Sequence, residues 1–272
     1  MTLTVFAALI AALMVVLIII KLRRKIDHTA KHFDPASAWL RAGILFCFFY
    51  LVSWATGTLE KIITEPIVAP EQLSDPAWRL WAGGMVVFIL IAYWGIWARF
   101  TIRFERKLEL LSQVVFGLLW GTAFGQMFLS IWHIAEIIGP DWATWQVFML
   151  AYVMLTLWQW FLMDMYWDIY ISPEHDTGFS IALKVVATHI PNSTLGLIFF
   201  ALYGNHVLFI GLQCLALVGC AITMRMPSPW CKAPTPPART TTSKFFGLPR
   251  CAGYKSADPA NDIYLKQAHL PR

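Results

Sequence analysis

His133, Glu136 and His206 are plausible ligands for a transition metal. Imidazole nitrogen and carboxylate oxygen are donors that zinc, copper and iron all accept. Thr122, Gln126, Ser130, His133 and Glu136 follow one another at steps of four, four, three and three, which keeps them on roughly one side of a helix. His206, with Asn205 beside it, stands in a short turn before the last apolar stretch, where it can meet the end of that helix. A haem held by His133 and His206 is the other cofactor the pair admits. The competing structural account is plain interhelical hydrogen bonding, because polar groups in hydrocarbon must pair or face a cavity.

A second group lies further along the chain. Asp164 and Asp168 are one helical turn apart, and Ser172-Pro173-Glu174-His175-Asp176 follows, with Lys184 and His189 beyond. Asp164, Asp168, Glu174, His175 and Asp176 are therefore candidates for general acid–base catalysis or for holding a cation. The same residues also suit a turn and a helix cap, with Lys184 reaching to headgroups. The sequence contains no H-E-x-x-H zinc motif and no nucleophile elbow.

A third group is defined by depth. Thr188-His189-Ile190-Pro191-Asn192-Ser193-Thr194 is the least lipid-like stretch inside any apolar segment, and Pro191 deletes a backbone hydrogen bond there. Gln126, Ser130, His189 and Asn192 are expected to form an intramembrane polar site, shielded by protein or lining a cavity.

The elements that must position these residues are transmembrane helices. Of the 272 residues, 58% are apolar, 15% aromatic and only 14% charged. A bilayer core needs about 20 apolar residues per helix. Seven stretches meet that need, at about 3–20, 39–59, 79–98, 110–137, 144–167, 179–202 and 206–224. The expectation is an all-α, seven-helix bundle, integral and multi-pass in a cell membrane. The remainder, 225–272, is a basic, Pro- and Thr-rich tail expected to be disordered or bound to a partner. The loop at roughly 60–78, with Pro66, Pro70 and Pro76, is expected to be ordered only in part. Gly117, Gly121 and Gly125 form a small-residue stripe that lets two backbones approach closely, within the bundle or from a second membrane chain.

Orientation follows from charge. In this threading 19 of the 21 lysines and arginines fall on one side, and only Lys61 and Arg79 on the other. Basic residues near short loops stay cytoplasmic, which places the N-terminus outside and the tail inside. The first apolar run is followed, not preceded, by Lys21, Arg23, Arg24 and Lys25, the order of an uncleaved anchor. Nucleic acid is a poor partner for positive charge spread over several loops and a tail. The five cysteines include no C-x-x-C pair, and the last apolar stretch has no lysine for a Schiff base.

Three function classes remain. The first is a membrane-embedded subunit or scaffold packed against lipid and partner chains. The second is an enzyme acting on a lipid or other apolar substrate with acid–base or metal assistance. The third is a small-molecule transporter or ligand-sensing seven-helix protein. A single-cysteine label scan tests the topology on which all three rest. Positions near Glu71 are expected to label from outside intact cells and positions near Ser243 only after permeabilisation, and labelling of both from one side would overturn the threading.

Overall fold

The computed structural model describes residues 35–96, 103–104, 108–159, 190–224 and 237–239. Helices α1 (Pro35–Ala55), α2 (Thr58–Thr64), α3 (Pro70–Ser74) and α4 (Pro76–Ile89) come first, and α4 runs on as a π-helical stretch, Leu90–Ile96. They are followed by α5 (Leu110–Ile138), α6 (Thr144–Leu157), α7 (Ile190–Tyr203) and α8 (His206–Met224). Among the described residues the one β element is a short antiparallel pairing of Arg103–Phe104 with Pro237–Arg239.

Among the described residues three helical runs are long and apolar enough to cross a membrane: Pro76–Gly95, Leu110–Ile138 and His206–Thr223. A fourth exists if the bent pair α1 and α2 is counted as one span, and α6 and α7 are shorter apolar helices. Outward-facing Leu80, Val87, Ile91, Leu111, Met149 and Val153 leave apolar side chains on the surface, which water would penalise and lipid would not. These features fit an integral membrane protein. The expected first span, the ends of the fifth and sixth, and nearly all of the tail lie outside the described residues.

Helix α5 is the axis of the bundle. Its membrane-length window is 72% buried, against 28% for Pro76–Gly95 and 50% for α8. It packs chiefly against α8 and α1 and less extensively against α6. Its glycine stripe is the means of approach to α8. A Cβ at Gly117 would lie 2.6 Å from the Val218 Cα, one at Gly121 2.5 Å from the Cys214 Cα, and one at Gly125 2.9 Å from the Ile210 Cα. The stripe thus meets α8 of the same chain and is filled by it.

Two expectations are corrected at the end of the bundle where α5 stops and α8 starts. The second apolar stretch is not one straight helix to residue 59: α1 ends at Ala55, and α2 leaves at 92° to it. Gly57 makes the bend with φ 77°, a left-handed conformation that glycine adopts without strain. Thr56 secures it, its hydroxyl donating to the Val52 carbonyl at 2.9 Å and lying 2.7 Å from the Thr58 hydroxyl. The 60–78 loop, expected to be ordered only in part, contains α2 and α3 instead. Its prolines are the reason. Pro66 favours extended backbone at Glu65 (φ −79°, ψ 145°), ending α2. Pro70 and Pro76 occupy first helical turns, where a missing N–H costs nothing. The Asp75 carboxylate caps α4 by accepting from the Ala77 and Trp78 backbone N–H groups.

Substitution at the stripe tests this packing. Gly121→Leu must push backbone aside and is expected to cost about 2 kcal/mol or more. Gly83→Ala, with open space at its Cβ position, is expected to be neutral or to stabilise by about 0.5–1 kcal/mol through helix propensity. Equilibrium unfolding of both variants in detergent measures the contrast.

Candidate functional site

At that end of the bundle four side chains join in one line. His133 Nδ1 lies 2.5 Å from Glu136 Oε2, on the same helix. His133 Nε2 lies 2.9 Å from His206 Nε2. His206 Nδ1 in turn lies 2.6 Å from Glu65 Oε2. The order is therefore Glu136, His133, His206, Glu65.

Each residue reaches its place for a local reason. The i, i+3 spacing on α5 puts Glu136 one turn above His133. The Trp132 indole N–H donates to the other Glu136 oxygen at 2.8 Å, so both oxygens of that carboxylate are engaged. Gly204, at φ 63°, ends α7 with its N–H bonded to the Phe200 carbonyl at 2.8 Å, and the chain re-enters a helix at His206. The sharp turn at Gly57 carries α2 across this end, and the Pro66-imposed extension of Glu65 points its carboxylate at His206.

A second set of bonds fixes that delivery. The Asn205 carbonyl oxygen accepts from the Trp78 indole at 2.8 Å, while its amide donates to Gln72 Oε1 at 2.7 Å. Gln72 also donates to the Tyr203 carbonyl at 3.0 Å and accepts from the Ala69 N–H at 3.0 Å. Asn205 thus ties α3 and α4 to the turn between α7 and α8.

The two imidazoles are buried, at 5% and 4% side-chain exposure, whereas Glu136 and Glu65 are 43% and 40% exposed. The imidazole planes are within 9° of parallel and their centres 5.3 Å apart. With the nitrogens at 2.9 Å, that separation sets the rings edge to edge rather than face to face. The Phe200 ring stands nearly perpendicular to both, its centre 4.9 Å from that of His206 and 6.2 Å from that of His133. Lys61 of α2 is close enough to act electrostatically on Glu136 and on His206.

The chemistry follows from hydrogen-bond capacity. An ionised carboxylate only accepts, so each Nδ1 carries a proton and donates it. In the neutral tautomers both Nε2 atoms are then bare lone pairs, directed at each other. Nitrogen lone pairs do not attract one another, so the 2.9 Å contact is a hydrogen bond only when one of the two Nε2 atoms carries a proton. Each imidazole is also oriented as metal-ligating histidines commonly are, with the far nitrogen held by a carboxylate.

Of the expected metal ligands, His133 and His206 are brought together through their Nε2 atoms. Glu136 is adjacent but spends its Oε2 on His133 Nδ1, which makes it an orienting group. Among the described residues no three His, Cys, Asp or Glu side chains are grouped so that they could ligate one ion. Of the expected intramembrane site, Ser130 bonds to Ser53 at 2.9 Å. Gln126 and Asn192 are buried on separate helices, and each keeps its side-chain oxygen without a protein partner. Next to Asn192, the Ser193 hydroxyl accepts from the Gln159 amide at 3.1 Å. His189 and the catalytic candidates Asp164, Asp168, Glu174, His175 and Asp176 lie outside the described residues. Glu65 is the member that sequence reading missed. Its signal was faint, a loop carboxylate before a proline and 141 residues from its partner.

No family model, curated protein or solved structure matches the chain. The geometry alone makes a checkable statement about the scaffold. Asn205→Ala strands the buried Trp78 indole and removes a Gln72 partner, at an expected cost of about 1–3 kcal/mol. Hydrogen exchange is expected to speed up across 69–79 while the middle of α5 stays protected.

Proposed function

We propose that this chain is a multi-pass protein of a cell membrane that binds a cation between His133 and His206 and so latches α2 to the bundle. That is a cation-sensing or cation-handling role, in the transporter or ligand-sensing class. The observation that carries the reading is the 2.9 Å approach of two Nε2 atoms whose Nδ1 partners are both carboxylates. Charge supports it as well. Two carboxylates near one Lys61 leave a negative balance, which one cation between the imidazoles offsets.

Seven spans, an outer N-terminus and a cytoplasmic tail belong to the same proposal, and the distribution of lysine and arginine supports them. The histidine pair then faces the outside, at the level of the interface, and α2 lies across its mouth. Partner membrane chains, on this reading, meet faces of the bundle other than the glycine stripe, which α8 fills. The alternative of a lipid-directed enzyme rests on Asp164, Asp168, Glu174, His175 and Asp176, and no described observation favours it.

The latch predicts energetic coupling between residues that share no hydrogen bond. His133→Ala removes one side of the cation site, and Glu65→Gln weakens the grip of α2 on the other. A double-mutant cycle is read from exchange of the 58–65 amides in the full chain. It is expected to give a coupling of about 0.5–3 kcal/mol. Additive effects of the two changes would overturn the reading.

A further inference from the structure

We infer that the cation site accepts a late first-row divalent metal ion, of the copper(II) and zinc class, with His133 Nε2 and His206 Nε2 as its two protein ligands. The inference rests on the cation-site reading above and adds the identity of the ion.

Four features select this class. Both donors are imidazole nitrogens, which suit copper, zinc, nickel and iron and are poor ligands for magnesium or calcium. Both Nδ1 atoms contact a carboxylate, at 2.5 Å and 2.6 Å, which fixes the tautomer and makes Nε2 the more basic donor. The ligands are preoriented, because Phe200 abuts both rings and the ring planes are nearly parallel. Finally, the two ligands come from helices whose spacing the glycine stripe sets, so the donors are already paired before an ion arrives.

The fit is close but not complete. An ion bonded to both nitrogens at about 2.0–2.1 Å holds them about 3.3–4.1 Å apart, depending on the angle. The present 2.9 Å suits a proton. A metal ion therefore enters by replacing that proton, which leaves to water, while the rings separate by about half an ångström or more. Two protein ligands leave coordination positions open, so water or a small external donor completes the shell. Glu65 and Glu136 stay in the outer shell throughout.

The test uses the full chain in detergent, stripped with a chelator and titrated with Cu(II) alone, then with Zn(II) in competition. Electron paramagnetic resonance is expected to show one Cu(II) per chain with hyperfine splitting from two imidazole nitrogens. That signal is expected to vanish in His133→Ala and in His206→Ala. Glu65→Gln and Glu136→Gln keep both ligands and are expected to weaken binding 10- to 100-fold, which guards against a histidine variant that simply fails to fold. A two-nitrogen signal that survives in both histidine variants would overturn the inference, since it would come from elsewhere, as would its absence at millimolar Cu(II). Coupling between His133 and Glu65 without any metal signal would leave the proton as the cation and sink only the metal assignment. A metal signal without that coupling would sustain the metal site and sink the latch.

Discussion

The close approach of α5 to α8 is the constraint on which the rest of the molecule depends. The two helices run in opposite directions, so each four-residue step along α5 is matched by four residues back along α8: Gly117 with Val218, Gly121 with Cys214, Gly125 with Ile210. The next steps bring the residues after Gly125 toward His206. His133 lies two turns beyond Gly125, within reach of an imidazole from the first turn of α8. In lipid no hydrophobic force drives helix against helix, so contact of this kind must come from fit. Glycine supplies the fit, and the fit sets the distance between two nitrogen atoms. A side chain added to the stripe would therefore act on the histidine pair without touching it.

Placing two imidazoles in a nearly dry setting is costly unless their hydrogen-bonding groups are used. The arrangement meets that cost unevenly. Burial is confined to the rings, while the carboxylates that hold them remain partly exposed to the surroundings at 43% and 40%. Their charge thus keeps some hydration, and the strong charge-assisted bonds still reach inward to Nδ1. The Phe200 ring, nearly perpendicular to both imidazoles, covers them and lowers the local dielectric, which strengthens the hydrogen bonds they make.

The sequence made much of this legible through two periodicities. The 3.6-residue stripe of Thr122, Gln126, Ser130, His133 and Glu136 placed the polar face of α5, and four-residue glycine spacing marked its close contact. The limits of α8, and those of α5 to within a residue, were readable because apolar runs bounded by polar turns are the strongest signal a membrane chain carries. The rest was hidden for physical reasons. Three prolines looked like breakers of order in the 60–78 loop, yet at first helical turns and before a turn they impose order. Gly57 sits in an apolar run, and nothing local distinguishes a glycine that bends a helix from one that lines a contact. Glu65 belongs to the site only because that bend turns α2 back across the bundle, a long-range outcome that periodicity does not encode. That Glu136 meets His133 at Nδ1 was hidden as well, because residue type says nothing about which nitrogen of a neighbouring histidine a carboxylate faces.

The four-residue line looks symmetrical, but its halves are anchored differently, and that difference gives it direction. Glu136 and His133 share one helix, and Trp132 holds the second carboxylate oxygen, so local geometry maintains that half. Glu65 follows directly on a seven-residue helix that turns away from α1 at Gly57 and ends at Thr64. Its link to His206 spans 141 residues and depends on the bundle being assembled. An isolated helix of that length has little stability of its own in water. Whatever changes the separation of the two Nε2 atoms must move one half relative to the other, and the half with fewer local restraints is the one carrying α2. Any change in the distance between the two imidazoles would therefore fall first on the half that carries α2.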